Sequence, residues 1–360
     1  MGLICGLIGL PSCGKTTIFN AMTAAGVAAY DGSEMNQASV NVLDARIQPL
    51  VDMYKAPKVV PATVEIVDIP GIKAGSTVSG GRATKLLSHI KDVDAILHVV
   101  RCFEDDTVPF EYDTIDPTRD VETIDLEMMV ADSQTLQNKI NRLYKKGQSG
   151  DKDAARAVAD CEMVKARIDD GVPARKQTLD QQQLASIREC NLLSLKPELY
   201  IANIKSIHEA NSSHVQALQS IAEGEGSQII IVCGRDEAEI SQLDLNDRQE
   251  FLKELGLEES SMERLLHAAY KILGLVTFFT AGEKEVHAWT CKEGDKAPTA
   301  AGRIHTDMEK GFIRMEVIRH QDLMELGSES AVAKAGKQMI EGKTYEVKDG
   351  DIVFIRFNPA

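Results

Sequence analysis

A glycine-rich run near the amino terminus constrains the fold of this chain more than any other feature. Gly9–Thr16 reads GLPSCGKT and matches the pattern G-x-x-x-x-G-K-[S/T]. The apolar run Leu3–Leu10 predicts a strand entering it, and Thr17–Ala24 predicts a helix leaving it, the context in which this pattern wraps phosphates. A chance glycine-rich turn would lack that context. We therefore expect a phosphate-binding loop, with backbone N–H groups facing the phosphates and a helix N-terminus adding positive potential.

The polar residues of this loop have separate predicted roles. Lys15 is expected to reach the β- and γ-phosphate oxygens and so to act in catalysis, and the Thr16 hydroxyl is expected to bind Mg²⁺. The predicted nucleotide contacts from this part of the chain are Gly9, Pro11, Ser12, Cys13, Gly14, Lys15, Thr16 and Thr17.

A second phosphate loop is predicted at Asp68–Gly71, which reads DIPG and ends the strand-like run Val64–Ile69. Asp68 is expected to hold Mg²⁺ through water, and the Gly71 amide to sense the γ-phosphate during catalysis. Ile72 follows, at the place where many related sites have a glutamine that orients the attacking water. Because an aliphatic side chain cannot orient water, hydrolysis is expected to be slow unless a partner positions the water.

The base-side loops are predicted after two later strands. Asn203 and Ile204 end one strand-like run and are expected to contact the nucleotide, with the Asn203 amide bonding a purine N7. Cys233 and Gly234, after the next run, form the last base-side loop. A guanine-reading NKxD motif needs Asp where this chain has Ser206, which cannot accept both the N1 and N2 protons of guanine. We therefore expect purine binding without the guanine-specific contact, the alternative being a plain strand-end asparagine.

Short apolar runs that alternate with helical patterns predict an α/β fold for the first two thirds of the chain. A length of 360 residues exceeds one ordinary core, so two or three domains are expected. The pattern favours a P-loop NTPase domain with a mostly parallel sheet and helices on both faces. The strand-like runs are Leu3–Leu10, Val64–Ile69, Ala95–Val100, Leu199–Ile204 and Gln228–Cys233.

A stretch of roughly sixty residues without strand signals interrupts this pattern. Apolar residues at alternating three- and four-residue spacing predict two helices joined by the loop Gly147–Asp151, with a third helix near Asp180–Cys190. The spaced residues are Met129, Leu136, Ile140 and Leu143, followed by Ala154, Val158, Cys161 and Ile168. We expect a coiled-coil arm over residues 129–192, and ordinary core helices are the alternative.

The pattern of apolar runs changes again after Gly274. Short, glycine-punctuated β-rich runs predict a compact β-grasp-like domain over residues 276–360, leaving residues 1–128 and 193–275 for the nucleotide domain. The runs are Val276–Thr280, Val286–Thr290, Phe312–Val317, Thr344–Val347 and Ile352–Phe357, with a helix at Thr299–Met308.

Charge and hydrophobicity restrict the partners. The chain has 40 Lys and Arg against 55 Asp and Glu, a formal net charge of -15, which excludes a uniformly basic nucleic-acid binder and gives no reason to expect sequence-specific DNA binding. No stretch approaches the ~20 apolar residues of a membrane helix, and Met1–Leu10 is too short and uncharged for a signal peptide, so a cytoplasmic protein is expected. A basic cluster at the arm tip is either an RNA contact or a solvated helix face. It comprises Lys139, Arg142, Lys145 and Lys146.

Taken in order, these motifs resemble the YchF type of Obg-related P-loop ATPases. Besides the two phosphate loops, the resemblance rests on His98–Asp106 (HVVRCFEDD), Phe278–Thr290 (FFTAGEKEVHAWT) and His305–Val317 (HTDMEKGFIRMEV). It implies a nucleotide domain, a coiled-coil insertion and a C-terminal TGS domain. It also implies Mg²⁺-dependent binding of ATP, or of ATP and GTP, and association with ribosomes through ribosomal RNA or protein. By resemblance, Lys15, Thr16 and Asp68 carry the phosphate and Mg²⁺ contacts, and Asn203 the base contact.

Several positions depart from the family pattern. Ser12 stands where most members have an Asn that helps bind a monovalent cation, Phe110 stands where a catalytic His is expected, and Ser206 replaces a Glu. These departures imply a diverged member in which triphosphate binding survives better than catalysis.

Two switch segments are predicted. The first, Tyr30–Val40, lacks the Thr that the family has there, and only Ser33 or Ser39 would substitute for it. The second, Lys73–Arg82, is rich in Gly and Ser and is expected to order around the triphosphate.

Three functional hypotheses follow. The leading one is a purine nucleotide switch that binds and slowly hydrolyses ATP, or GTP, with Mg²⁺ and couples occupancy to ribosome or RNA affinity. The second is a nucleotide-dependent ribosome or RNA binding protein with little or no turnover, which Phe110 and the altered first switch favour. The third is a guanine-specific GTPase, which needs a carboxylate that Ser206 does not supply. No oligomeric state is predicted.

Overall fold

The computed structural model describes residues 3–23, 35–75, 82–243, 247 and 259–358, with the side chains of residues 82–86 excepted. Residues 30–34 of the first predicted switch, Ser33 among them, and residues 76–81 of the second lie outside this part of the chain. The chain divides into two units, Met1–Ala38 with Glu65–Leu265 and Ser39–Val64 with Leu266–Ala360.

The first sheet has six strands in the order β2-β4-β1-β5-β6-β7. Strand β1 pairs in parallel with β4 and β5, and β6 pairs in parallel with β5 and β7. The neighbouring residues Leu7 and Ile8 point to opposite faces and are both fully buried, so the sheet is covered on both faces. All five runs predicted as strands are confirmed. The strands are β1 (Ile4–Ile8), β2 (Asn36–Val42), β4 (Ala62–Asp68), β5 (Ala95–Arg101), β6 (Glu198–Asn203) and β7 (Ile229–Val232).

Helices complete this α/β layer structure. A cluster of apolar side chains from β1, β4, α3 (Arg82–Asp92) and α4 (Pro117–Gln148) covers one part of the sheet, and a second cluster joins β5 and β6 to α7 (Ser213–Glu225). The helices other than those of the arm are α1 (Lys15–Thr23), α3 (Arg82–Asp92), α7 (Ser213–Glu225) and α8 (Gly234–Ile240).

The predicted inserted helices are present as α4 (Pro117–Gln148), α5 (Lys152–Asp169) and α6 (Gln181–Ile187). Helix α4 begins at Pro117 rather than at residue 129, because the Asp116 side chain accepts the backbone N–H groups of the first turn and proline suits its first position. Seven of the eight apolar residues predicted to line the arm pack in one core with Ile187 and Leu192, and Ala154 is not part of that core. From the predicted set this core contains Met129, Leu136, Ile140, Val158, Cys161 and Ile168, with Leu143 packed against it.

A buried ion cluster ties the base of the arm to the first sheet. Arg175 Nη2 lies 2.8 Å from Asp125, 3.0 Å from Glu198 and 3.3 Å from Glu225. The three carboxylate side chains are 8%, 0% and 5% exposed. His98 Nδ1 lies 2.6 Å from Glu198 on the neighbouring strand. Buried charges persist when each has an opposite partner, so these groups depend on one another.

The second sheet has the order β11-β10-β12-β8-β9-β3. Strand β10 is antiparallel to β11 and β12, β8 is antiparallel to β9, and β8 runs parallel to β12. Apolar clusters lie on both faces. The strands are β3 (Lys58–Val60), β8 (Leu275–Ala281), β9 (Glu285–Lys292), β10 (Phe312–Arg319), β11 (Met339–Glu341) and β12 (Asp351–Phe357), and the helices are α2 (Ile47–Tyr54), α9 (Ser261–Ile272), α10 (Ala297–Ile304), α11 (Thr306–Lys310), α12 (His320–Leu326) and α13 (Glu329–Lys334).

Two predictions for this region are wrong in detail. Thr344–Val347 is not a strand: Glu346 forms only an isolated bridge with Lys296, and the Val347 side chain is anchored in the core. The helix predicted at Thr299–Met308 is divided at His305, whose backbone is extended and whose ring accepts a backbone N–H from the next helix.

Residues 39–64 group differently from the predicted nucleotide domain of residues 1–128. Strand β3 pairs in parallel with β9, and Ile47 and Leu50 of α2 pack with Phe279 of β8. Short apolar elements take the partner that buries them, so β3 and α2 join the C-terminal sheet, while the two ends of the segment belong to β2 and β4 of the first sheet. None of the described helices is both long and apolar enough to span a bilayer.

Candidate nucleotide-binding site

The predicted phosphate-binding loop joins β1 to α1. Gly9, Ser12 and Gly14 have φ values of 149°, 60° and 102°. A Cβ on Gly9 would lie 2.3 Å from the Val99 carbonyl oxygen, and one on Gly14 would lie 2.1 Å from Asn203 Nδ2. Both positions therefore require glycine for conformation and for space.

Lys15 begins α1 and turns back over the loop. Its Nζ donates to the carbonyl oxygens of Leu10 at 2.8 Å and Gly9 at 3.3 Å, and the residue is 6% exposed. The ammonium group is thus held on the loop by neutral acceptors, and its positive charge stays available to a polyphosphate.

Thr16 and Asp68 meet at the foot of the site. Thr16 Oγ1 donates to Asp68 Oδ2 at 2.7 Å, and Asp68 Oδ1 is buried without a hydrogen-bond partner among the described residues. Burial raises the pKa of Asp68, while Thr16 and the Lys15 charge oppose that rise. A buried carboxylate oxygen left open beside a hydroxyl suits a hard cation such as Mg²⁺. Within the described ranges no group of three or more His, Cys, Asp or Glu side chains could hold a metal, so such a cation would need oxygens from the phosphates or water.

Gly71 and Ile72 follow β4 and lie against the loop. A Cβ on Gly71 would lie 2.7 Å from the Pro11 nitrogen, and the Ile72 N–H donates to the Gly9 carbonyl oxygen at 3.1 Å. The Ile72 side chain is 1% exposed and packs in the core with Ile8 and neighbouring residues. Ile72, which stands where many related sites have a water-orienting glutamine, therefore directs its side chain away from the cavity.

Asn203 ends β6 and ties two loops together. Its Nδ2 donates to the Cys13 carbonyl oxygen at 2.9 Å, and its Oδ1 accepts the Gly234 N–H at 3.2 Å. An amide nitrogen has two protons, so one of them remains for a purine acceptor. The sequence predicted a base contact for Asn203 but not this bridge between the phosphate and base-side loops.

The neighbouring base-side residues play unequal parts. Ser206 Oγ accepts the His208 N–H at 3.4 Å and caps a short 3-10 turn, and it does not line the cavity. Cys233 Sγ donates to the Lys205 carbonyl oxygen at 3.1 Å, and burial raises the pKa of the thiol to about 12. Cys233 and Gly234 thus support the wall from behind, while Ile204 and Lys205 form part of it.

A loop after β5, absent from the predicted site, supplies one wall. Asp105 accepts the Thr107 N–H at 3.0 Å and lies 3.3 Å from Lys205 Nζ. These bonds, chiefly those to Thr107, lower the pKa of Asp105 to about 2. The sequence signal was the run His98–Asp106, which the resemblance flagged without assigning it a role.

These elements enclose a cavity of about 540 Å³, within the range usual for sites of nucleotide-sized ligands. Of the residues predicted to bind nucleotide or metal or to act in catalysis, it brings together Pro11, Ser12, Gly14, Lys15, Thr16, Thr17, Asp68, Gly71, Asn203 and Ile204, while Gly9, Cys13, Cys233 and Gly234 lie behind the surface. Four further lining residues belong to the predicted second phosphate loop and switch segments without having been named singly: Ile69, Pro70, Asn36 and Lys73. The lining residues that the sequence reasoning missed are Phe103, Asp105, Thr107, Val108, Lys205 and Arg235.

Phe110 lies beside this wall and packs inward. Its ring contacts the apolar core under β1 and β4 and meets the Tyr112 ring edge-on, with 6.0 Å between centroids. A phenyl ring has no proton to transfer, so this position cannot supply the acid–base chemistry of the expected His.

Two family models match the chain. Residues 4–145 match the model described as "50S ribosome-binding GTPase". Residues 275–358 match the C-terminal model of YchF GTPases, described as "Protein of unknown function (DUF933)". Together the two models cover parts of both units.

Full-length relatives and a solved structure agree with these matches. "Ribosome-binding ATPase YchF" of Haemophilus ducreyi is 42% identical over 362 residues, which is 99% of this chain and 100% of the relative. The protein of the same name from Bacillus subtilis is 41% identical over 365 residues, with the same coverage. The Schizosaccharomyces pombe YchF GTPase structure superimposes with a TM-score of 0.86 at 30% identity, covering 99% of this chain and 98% of that one. With its phosphate-binding loop, its nucleotide-sized cavity and its full-length likeness to these proteins, the chain belongs to the YchF family of P-loop nucleoside triphosphatases.

Proposed function

We propose that this protein binds ATP with Mg²⁺ and hydrolyses it slowly. The observation that carries the proposal is the Thr16–Asp68 pair at the foot of a cavity walled by the phosphate-binding loop. The relatives are named ATPases, and Ser206, at the position where a guanine-reading motif has Asp, has no carboxylate and does not line the cavity. Both features support adenine as a base that the site accepts, with GTP as a competing ligand.

Mg²⁺ fits the donors that the chain presents. The Thr16 hydroxyl and the Asp68 carboxylate would hold it, because hard cations prefer oxygen ligands and one Asp68 oxygen is left open. When bound, the ion supplies positive charge to the β- and γ-phosphate oxygens. The proposal extends to the backbone around Gly9–Thr17 as the phosphate cradle and to Asn203 as the base contact.

Catalysis by this chain rests on charge and positioning. Lys15 sits where it neutralises charge on the transferred phosphoryl group, and the Gly71 N–H is the candidate donor to a γ-phosphate oxygen. Neither group orients water, and the buried Ile72 side chain cannot do so. The position that carries the water-orienting glutamine in many related sites therefore cannot orient water here, which is why we propose slow hydrolysis that a partner accelerates.

Association with ribosomes is proposed from the names of the relatives and of the matching family model. The arm tip is less basic than its sequence implied. Lys139 is 8% exposed, donates to the Ser186 carbonyl oxygen and shares Glu189 with Arg142. Lys145 and Lys146 are exposed, and they are the members of this cluster that we propose to meet RNA. Replacing both should reduce the salt dependence of ribosome binding in a co-sedimentation assay, and an unchanged salt slope would remove the tip from the proposal.

The cytoplasm is the compartment that ribosome association supports. We also retain, as proposals, the assignment of residues 129–192 as a coiled-coil insertion and of residues 276–360 as a TGS domain.

Calorimetric titration tests the nucleotide site directly. ATP and GTP are titrated with Mg²⁺ or with EDTA into the full chain and into a Lys15→Ala variant. The proposal expects Mg²⁺-dependent ATP binding that the variant loses. No binding of either nucleotide at millimolar concentration would refute it, and clear preference for GTP would favour the guanine-specific hypothesis.

A binding protein without turnover is the second candidate. It is favoured by Phe110, which packs in an apolar cluster where the family pattern has a catalytic His, and by the core position of Ile72. Single-turnover measurements on bound ATP, in K⁺ with and without ribosomes, separate the two. Phosphate release that Lys15→Ala abolishes supports an ATPase, whereas no release under either condition supports the pure binder.

A further inference from the structure

Arg101 is a buried cation that the proposed chemistry leaves without a role. It ends β5, is 2% exposed, and donates its hydrogen bonds to the loop of residues 103–108. Nε donates to the Phe103 carbonyl oxygen at 3.1 Å, Nη2 to that of Asp105 at 3.1 Å and Nη1 to that of Val108 at 3.3 Å. Three carbonyls spread over six residues are thus gathered on one guanidinium, whose planar fork of donors suits such a task.

Two aromatic rings complete the environment of this guanidinium. Arg101 Cζ lies 4.5 Å from the Phe103 ring centroid and 4.8 Å from that of Phe110. Within the part of the chain that is described, no carboxylate lies within 4.0 Å of its nitrogens. A buried cation without a carboxylate partner is costly unless other groups stabilise its charge. Here the three carbonyl oxygens and the two ring faces stabilise the charge of Arg101.

The gathered loop is a wall of the nucleotide cavity. Phe103, Asp105, Thr107 and Val108 all line it. Asp105 also reaches across to Lys205, whose Nζ lies 3.3 Å from Oδ2 and which belongs to the base-side loop after β6. Arg101, through its bonds to the carbonyl oxygens of residues 103, 105 and 108, holds one wall of the cavity together. The Asp105–Lys205 pair connects that wall to the base-side loop.

We infer that Arg101 is a positioning residue for the nucleotide: it holds residues 103–108 as a preformed wall, and the Asp105–Lys205 pair latches that wall to the base-side loop. The inference rests on the proposed function, because it assumes that a nucleotide fills the cavity. Phe110 gains a role in it, since its ring covers the guanidinium. In this chain, the position at which the family pattern has a catalytic His thus carries a ring that packs on Arg101.

Nucleotide release is the quantity that this arrangement should control. The dissociation rate of a fluorescent ATP analogue is measured by displacement, with the dissociation constant from titration. Arg101→Met should weaken binding by about 10- to 100-fold, since three hydrogen bonds to a charged group are lost. Arg101→Lys should recover little, because one ammonium group cannot span the three carbonyls. Lys205→Met and Asp105→Asn, at the cavity rim, should each speed release by about 2- to 5-fold.

Chemical rescue distinguishes positioning from a loss of fold. In Arg101→Ala, guanidinium at low millimolar concentration should restore part of the ATP affinity, and methylammonium at equal ionic strength should not. Arg119→Met is the matched control, because the Arg119 guanidinium also stacks on a loop aromatic, with Cζ 3.8 Å from the Tyr112 centroid, but lines no part of the cavity. It should leave ATP release unchanged.

The outcomes separate this inference from the proposed function. If the unaltered chain binds no ATP, the proposed function fails first. If it binds ATP and Arg101→Met releases the analogue at the same rate, the inference is overturned. Should the Arg101 variants not fold, the two latch variants decide, and unchanged release in both overturns it. Equal rescue by methylammonium, or faster release from Arg119→Met, would also overturn it.

Discussion

Replacing Arg175 with Met should destabilise the chain more than any exposed charge substitution. The change removes the guanidinium that faces Asp125, Glu198 and Glu225 while leaving all three carboxylates buried. Glu198 keeps its contact with His98 and Glu225 its contact with Lys176, whereas the contact of Asp125 with the guanidinium is lost. Removing one partner of a buried ion pair costs about 3 to 5 kcal/mol, which is a large part of the roughly 5 to 15 kcal/mol that stabilises a typical domain.

The loss should also depend on pH. Burial and the Glu198 charge already raise the pKa of Asp125 to about 6, against the opposing effect of Arg175. Without the guanidinium the pKa of Asp125 rises further, because Arg175 is the group that opposes the rise. A carboxyl group whose folded pKa exceeds its unfolded value stabilises the fold while protonated, and that stability falls as pH rises through the folded pKa. The deficit of Arg175→Met should therefore be larger near pH 8 than near pH 5.5.

Urea unfolding followed by circular dichroism at the two pH values measures this deficit. Arg142→Met is the matched control, because the Arg142 and Glu189 side chains are 64% and 57% exposed and their pairing contributes at most about 1 kcal/mol. A deficit for Arg175→Met no larger than that of the control, or one that is the same at both pH values, would refute the argument.

Three substitutions around the phosphate site test its separate parts. Asp68→Asn should remove most of the Mg²⁺-dependent gain in ATP affinity, about tenfold or more, in titrations with and without EDTA. Because burial raises the pKa of Asp68, the Mg²⁺-dependent gain of the unaltered chain should shrink as pH falls through that pKa. Gly71→Ala should weaken ATP binding and slow phosphate release, since its Cβ would lie 2.7 Å from the Pro11 nitrogen, and unchanged kinetics would contradict that contact. Ile72→Gln should lower the free energy of unfolding by about 2 to 4 kcal/mol without speeding hydrolysis, because the side chain enters an apolar core, and a faster ATPase would show that the position reaches the cavity.

The sequence predicted the phosphate loop and the parallel sheet because both depend on local pattern. Gly9 and Gly14 stand where only glycine fits, and strands buried on both faces read as continuous apolar runs. The sequence also predicted the helix pair of the arm, since its apolar residues repeat at helical spacing over several turns.

What the sequence did not predict depends on contacts between distant residues. Nothing local to Asn203 indicates that its amide bridges Cys13 and Gly234. The cavity wall around Asp105 is an irregular loop whose carbonyl oxygens bond to Arg101, and no periodicity in the sequence reports those bonds. The pairing of β3 with β9 joins residues that are far apart in the chain, which no spacing pattern reports.

Helix α4 has a mechanical consequence. Its 32 residues run without interruption from the Asp116 cap to Gln148, a rod about 48 Å long. Residues 109–115 join Val108 of the cavity wall to that cap, so the near end of the rod follows the nucleotide wall closely in the chain. A tilt of only about 5° at that end displaces the far tip by about 4 Å, roughly the width of one strand spacing. Leverage of this kind would turn a small adjustment near the cavity into a displacement large enough for a bound macromolecule to detect.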